Sequence, residues 1–509
     1  MSFMRNLNLI NFFRAIVVLT CLAPLPCFAE VKLPNIFGDH MVLQQGQQNK
    51  VWGKAEPGEQ VTVKIHEQSQ QTTANDAGLW SVLLDPLPVG GPYTLKVSGT
   101  NEISIDDVLV GEVWICSGQS NMQWVVNKVY DADLVKAEAN YPRIRMINFP
   151  NVGSQEPVWK HDKAAWQLTT PESVGAFSAV GYFFGRQLHN TIDVPIGLIN
   201  NSWGGSAADA WVNRDVLAEQ EFYQETMNKW KQREEAYNDL ALKTELSEQD
   251  KKKQQQLRGA MFGNQRPANI YNGVLKSHLG YGIKGAIWYQ GESNASRAYQ
   301  YRKLFPLMIS NWRDEWGQGD FPFYWVQLAD FQAEQAEPGD SAWAELREAQ
   351  TMTIAALPNT GEAVIINEGE GYDIHPRNKL IVGQRLARWA LAKQYDIGIP
   401  CQSPTFSSME KQDGKIVLSF TEVHKGWRPF DVKKPLGFAI AGEDKKFVWA
   451  EAKILKDQRI EVSSKEVSNP VAVRYAWANN PVCNLFDGVG LPLTPFRTDD
   501  WPGVTVDNR

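Results

Sequence analysis

Four short polar segments carry the residue types from which an ester-cleaving centre can be built. They are Gly118-Gln119-Ser120-Asn121, Asn200-Asn201-Ser202-Trp203-Gly204-Gly205-Ser206, Trp288-Tyr289-Gln290-Gly291-Glu292-Ser293-Asn294 and Asp373-Ile374-His375-Pro376. Ester hydrolysis through a covalent intermediate needs a nucleophile, a base for its proton, a group that fixes the base, and donors for the oxyanion. Ser120 is the candidate nucleophile. His375 is the candidate base, because imidazole suits proton transfer near neutral pH. Asp373, two residues earlier, is placed to hold its Nδ1–H. Gly204 and Gly205 can expose backbone N–H groups without side-chain hindrance. Gln290 adds a neutral amide donor. With the Ser120 N–H these would form an oxyanion hole, in which one donor is typically worth about 2.7–4 kcal/mol. Gln119, Asn121 and Glu292 flank these groups as supporting residues.

Each element also has a purely structural explanation. A serine in a strand–helix turn serves as an N-cap, Gly204-Gly205 makes a turn, and Gln290 or Asp373 can satisfy backbone groups. Glu292 and Asp373 together resemble a glycosidase carboxylate pair, which makes glycoside hydrolysis a rival reading. A non-catalytic carbohydrate-binding protein is a third. The recurrence of a polar turn after apolar, strand-like runs favours the hydrolase.

Those runs are Val194 to Asn201, Gly285 to Tyr289, Phe323 to Leu328 and Ala363 to Asn367, with helical patterns at Val180–His189, Tyr299–Trp312 and Leu380–Ala392. Apolar strands alternating with helices predict an α/β domain over 109–395, a parallel sheet covered on both faces. Ligands of such sheets bind beyond the carboxyl ends of the strands. Residues 214–261, rich in Glu, Gln and Lys, read as a charged helical insertion. Residues 30–108 show short strands and Gly/Pro turns at β-sandwich spacing. Strand patterns return over 396–509, predicting a second sandwich or strands that complete the first.

Residues 1–29 have the character of an export signal: Arg5 and Arg14, an apolar stretch, then Cys27-Phe28-Ala29. The reading is an exported protein, periplasmic or extracellular. The net charge is −7 and no basic stripe is present, so nucleic acid and anionic membranes are not expected partners. Beyond the leader stand Cys116, Cys401 and Cys483. No cysteine or histidine spacing suggests a metal site, and no cofactor is expected. Cys401 and Cys483 are candidates for a disulfide in an oxidising compartment, and Cys116 reads as a buried thiol.

The Ser120 segment is not the Gly-x-Ser-x-Gly elbow of α/β-hydrolases, since Met122 replaces the second glycine. Instead Gly111-Glu-Val-Trp-Ile-Cys-Ser-Gly-Gln-Ser-Asn-Met, Trp203-Gly-Gly-Ser, Trp288-Tyr-Gln-Gly-Glu-Ser-Asn, Leu346-Arg-Glu-Ala-Gln and Asp373-Ile-His-Pro-Arg-Asn-Lys resemble the sialate O-acetylesterase family of SGNH hydrolases. Met41-Val-Leu-Gln-Gln and Gly490-Leu-Pro-Leu-Thr-Pro-Phe-Arg-Thr-Asp-Asp-Trp-Pro extend the likeness to both ends. The resemblance implies a three-layer α/β/α catalytic domain with β-sandwich parts, and metal-independent removal of O-acetyl groups from sugars. It implies Ser120 as nucleophile, His375 as base, Gly204 or Gly205 as the oxyanion glycine, and Gln290 where many SGNH enzymes use Asn. One departure is visible: SGNH enzymes commonly place Asp three residues before the His, where Tyr372 stands. Asp373, Glu368 and Glu370 are therefore candidates for the orienting acid, with a Ser–His dyad as the alternative. The implied substrate is an acetylated sialic acid or an acetylated xylan or xyloglucan oligosaccharide. Arg347 and Arg377 are the arginines proposed to meet a sialate carboxylate.

Overall fold

The computed structural model describes residues 30–508; the expected leader, residues 1–29, lies outside the described residues. The fold is organised on one long strand, Glu102–Gly118. Its first residues alternate between exposed and buried, and from Val108 onward every residue is buried. The first part pairs antiparallel with Gly90–Ser98. The second part lies between Ile196–Asn200 and Gly285–Tyr289, parallel to both. A strand covered on both faces reads as an unbroken apolar run, which is why Val108 to Cys116 lacks alternation.

The central sheet runs in the order Thr360–Ala363, Phe323–Val326, Gly285–Tyr289, Glu102–Gly118, Ile196–Asn200, Tyr141–Asn148, Trp166–Thr169. All pairings are parallel except the last. Successive side chains point to opposite faces. Val113, Ile115, Trp288 and Trp325 therefore meet the helices Ala298–Trp316 and Ala342–Ala356. Trp114, Cys116, Ile287 and Tyr289 meet Ala179–Ile192 and Lys379–Gln394 on the other side. This is the three-layer α/β/α arrangement with its parallel sheet.

The outer strand is shorter than its apolar run suggests. Pairing stops at Val326 opposite Ala363, whereas the run predicts a strand over 363–367. Val364 and Ile366 instead bury themselves in the core of the C-terminal part. That part has two antiparallel four-stranded sheets, with residue ranges 405–412, 415–421, 460–463 and 451–454 in one, and 447–449, 438–441, 472–475 and 496–497 in the other. Its strands pair among themselves and do not complete the N-terminal sheet. Cys401 and Cys483 are free thiols, not a disulfide. They pack against different cores, Cys401 with the helices of the central sheet and Cys483 with the C-terminal strands.

The charged insertion is helical, with Gln224–Ala241 and Glu248–Met261 as its main helices. Glu234 is pinned by Arg214, the first residue of the insertion, at 2.8 Å and by Arg266, just beyond its end, at 2.9 Å. Among the described residues, no helix is long and apolar enough to cross a membrane.

Candidate active site

The long strand ends beside the end of Gly285–Tyr289, and Gly118 allows it. A Cβ at Gly118 would stand 2.2 Å from the Tyr289 carbonyl oxygen, and its φ is +132°. The chain then forms a single helical turn, Ser120–Gln123. One turn of four residues sums too few peptide dipoles to make its positive end an important contributor.

Ser120 and His375 meet. His375 Nε2 lies 2.9 Å from Ser120 Oγ. Its Nδ1 lies 3.2 Å from Asp373 Oδ1, which also accepts the His375 backbone N–H at 2.9 Å. A proton on Nδ1 and a lone pair on Nε2 satisfy both ring contacts at once. Trp124 stacks on the imidazole, with centroids 4.9 Å apart and planes 15° from parallel. Burial holds the His375 pKa below the ordinary imidazole value; Asp373 opposes this, and the charges of Lys379 and Lys128 reinforce it. The other acids are occupied elsewhere. Glu368 takes Asn378 at 2.7 Å and pairs with Arg385, while Glu370 pairs with Arg377. Of the acids considered, Asp373 is the one at the imidazole.

The glycine turn is docked on the same point. Trp203 N–H donates to the Gly118 carbonyl at 3.0 Å. A Cβ on Gly204 would lie 3.4 Å from Ser120 Cβ. Gly204 N–H donates to Gln123 Oε1 at 2.7 Å, so that donor is already engaged. Gly205, with φ +74°, carries an N–H that has no acceptor among the described residues, and the same holds for Ser120 N–H. Asn264 and Gln265, directly after the insertion, donate to the carbonyls of Gly204 and Gly205 and fix the turn from outside.

Gln290 is not where the sequence suggests. Its amide N–H groups donate to the Ser206 carbonyl at 3.1 Å and to Asn294 Oδ1 at 2.7 Å, and its oxygen accepts from Tyr301 at 3.0 Å. The side chain is fully buried and its donors are committed, which leaves none for an oxyanion. Gln119 takes a supporting place: its Oε1 accepts the N–H groups of Gly291 and Ser293 at 3.4 and 3.3 Å. Asn121 donates to Glu292 Oε1 at 2.7 Å and to the Ile374 carbonyl at 3.0 Å. Glu292 Oε2 is buried and unpartnered, and desolvation raises the carboxyl's pKa. That carboxylate belongs to the scaffold rather than to a pair presented to a sugar.

Arg347 is fully buried and donates to the carbonyls of Leu328, Ala329, Ala478 and Asn479. Arg377 is locked by Glu370 at 3.1 Å and lies over the Tyr130 ring. The buried Arg347 guanidinium is thus turned inward to backbone carbonyls, whereas Arg377 stands about half exposed beside Glu370. Among the described residues, no group of three or more His, Cys, Asp or Glu is gathered as metal ligands would be.

Sequence reasoning passed over Trp124, Gln123, Asn264 and Lys379. Lys379 carried a signal: it shares the helical stripe of Val382, Gly383, Leu386 and Ala390, all buried. A lysine on such a stripe is rare unless it has a partner.

Comparison with known proteins gives the family of the chain. A family model described as carbohydrate esterase, sialic acid-specific acetylesterase, matches residues 110–256 and 263–390. The sialate O-acetylesterase of Mus musculus is 28% identical over 519 residues, covering 91% of this chain and 94% of that protein. The Homo sapiens sialate O-acetylesterase is 27% identical, covering 93% and 94%. The crystal structure of a carbohydrate acetylesterase from Xanthomonas citri superposes with a TM-score of 0.80 at 37% identity, covering 93% of this chain and all of that one.

Proposed function

Since the chain belongs to the sialic acid-specific acetylesterase family of carbohydrate esterases, whose reaction is acetyl ester hydrolysis on sugars, we propose that it does this chemistry with Ser120 as nucleophile, His375 as base and Asp373 as orienting acid. The observation that carries the reading is the unbroken contact from Ser120 Oγ through the imidazole to Asp373.

Ser120 Oγ attacks the acetyl carbonyl carbon while its proton passes to His375 Nε2. The imidazolium that forms is stabilised by Asp373 through Nδ1–H. The carbonyl oxygen, now an anion, is received by the unengaged N–H groups of Ser120 and Gly205. Collapse breaks the bond to the sugar oxygen, which takes the proton from His375 and leaves as the alcohol. Water, deprotonated by the same imidazole, then attacks the acetyl-serine and releases acetate. His375's lowered pKa keeps the ring neutral, and therefore basic, at neutral pH.

Two sugar classes are supported by different observations. The family and the mammalian relatives support O-acetylated sialic acid. The burial of Arg347 against backbone carbonyls supports a neutral substrate such as an acetylated xylo- or xyloglucan oligosaccharide. The test is acetate release by the wild-type chain and Ser120→Ala from an aryl acetate, acetylated sialic acid and acetylated xylo-oligosaccharides. Serine-dependent release is expected, and the preferred sugar decides between the two classes. Release that survives in folded Ser120→Ala, or new reducing ends without acetate, would overturn the reading.

A further inference from the structure

Behind the Ser120–His375 pair lies a second, buried set of polar groups that the reaction as derived does not use. Lys379 is the first residue of its helix, four positions after His375, and is fully buried. Its Nζ donates to Asn121 Oδ1 at 2.6 Å. Asn121 is the residue directly after Ser120, and its own amide donates in two directions, to Glu292 Oε1 and to the carbonyl of Ile374. Ile374 is the residue directly before His375. The neighbours of the nucleophile and of the base are thus joined by one amide, and that amide is oriented by one ammonium. The Nζ also lies 5.3 Å from the Tyr289 ring centre and 5.8 Å from that of Trp124, the residue stacked on His375.

We propose that Lys379 is a positioning residue for the esterase reaction: it fixes the Asn121 amide that spaces the serine turn from the histidine loop. The inference rests on the reading of Ser120 and His375 as nucleophile and base.

The effect of Lys379 has two parts. An asparagine amide can flip, exchanging its oxygen and nitrogen, and a buried one does so unless its partners forbid it. Here an ammonium, which can only donate, faces the oxygen, while a carboxylate and a carbonyl, which only accept, face the nitrogen. The flipped state would set like against like on both sides, so only one orientation of Asn121 is compatible with its surroundings. The second part is electrostatic. The charged groups facing Lys379 are Glu292, Glu370 and Asp373, which oppose the burial that brings its pKa down to about 7. Below that pH the ammonium is present, and its field adds to the lowering of His375. The acid limb of activity lies in this same region, so loss of the charge is felt there. Removing it raises the His375 pKa, and the limb moves to higher pH.

The experiment uses the full chain as wild type, Lys379→Met, Lys379→Gln and Ser120→Ala. Methionine removes the buried charge at similar volume, a change that buried sites often accept. Glutamine keeps a neutral donor for Asn121. Each variant is assayed for kcat and KM with an aryl acetate across pH, with thermal unfolding alongside. Misplacement of reacting groups by an ångström costs about 100-fold. Lys379→Met is expected to lower kcat by about 10- to 100-fold with little change in KM, Lys379→Gln by less. In both, the acid limb of kcat/KM moves to higher pH. Folded variants with wild-type kcat and an unmoved limb would overturn the proposal. Failure of both to fold would make Lys379 a stability element and overturn it equally. Ser120→Ala separates the two levels: if it stays active the nucleophile reading fails, whereas an inactive Ser120→Ala beside unaffected Lys379 variants removes only this inference.

Discussion

Two polar clusters lie at either side of the Gly285–Tyr289 strand end, built from similar residue types, and they are finished differently. In the first, Asp209 is buried and held by Arg297 through paired contacts at 3.0 and 3.2 Å, by Asn294 at 2.9 Å and by the Tyr223 hydroxyl. Asn294 Oδ1 in turn accepts from Gln290 Nε2 and from the Ala208 N–H. Asp209, Arg297, Asn294 and Gln290 each meet two or more partners inside the protein. In the second, Ser120 has His375, His375 has Asp373, and two backbone N–H groups beside them have no acceptor among the described residues. The closed cluster holds its shape, while the open one keeps bonding capacity for a reacting group. Residue type alone does not separate the two; unfilled hydrogen-bonding capacity does.

The sharpest way to break this contrast is to remove a member of the open cluster. His375→Ala is expected to lower kcat/KM by about 10⁴-fold while thermal unfolding changes little. A loss of folding with modest loss of rate would assign His375 to the scaffold instead. Asp373→Asn keeps the shape but not the charge, and a fall in kcat approaching that of His375→Ala is expected, about 10³- to 10⁴-fold. Because Asp373 raises the His375 pKa, its removal shifts the remaining acid limb to lower pH.

The closed cluster should answer with stability. Asp209→Ala leaves Arg297 uncompensated and is expected to cost about 3–5 kcal/mol in denaturant unfolding, with the folded fraction still turning over. Gln290→Ala separates the two regions most finely. It should cost about 1–3 kcal/mol through groups left unsatisfied, and lower kcat less than tenfold. An oxyanion donor would instead cost about 10²- to 10³-fold in kcat. The smallest effect is in the wild-type profile: the acid limb of kcat/KM should fall below the ordinary histidine value of about 6.5.

How much of this was legible in the sequence follows from the same distinction. The strands were readable because apolar runs such as Gly285 to Tyr289 are buried on both faces, and the helices because their apolar periodicity is intact. The edge run 363–367 misled because beyond Ala363 its burial comes without a strand partner, Val364 and Ile366 packing on the C-terminal core and Ile365 in the core under the central sheet. Ser120, His375 and Asp373 stood out as chemistry-bearing types at turns. Gln290 did so equally, yet its amide is consumed by Ser206, Asn294 and Tyr301, groups that only the folded turn brings together. The choice between Gly204 and Gly205 likewise depends on where the Gln123 side chain lands. Arg347 looked available in the sequence because its acceptors, backbone carbonyls, are identified by position and not by type.

The central claim is that Ser120 is the nucleophile. A fluorophosphonate that reacts only with an activated serine, followed by peptide mass spectrometry, tests it most directly. The account predicts one adduct, on the peptide carrying Ser120, with acetate release lost in proportion to labelling and no adduct in Ser120→Ala. Full labelling at another serine, or inactivation without an adduct on Ser120, would contradict it.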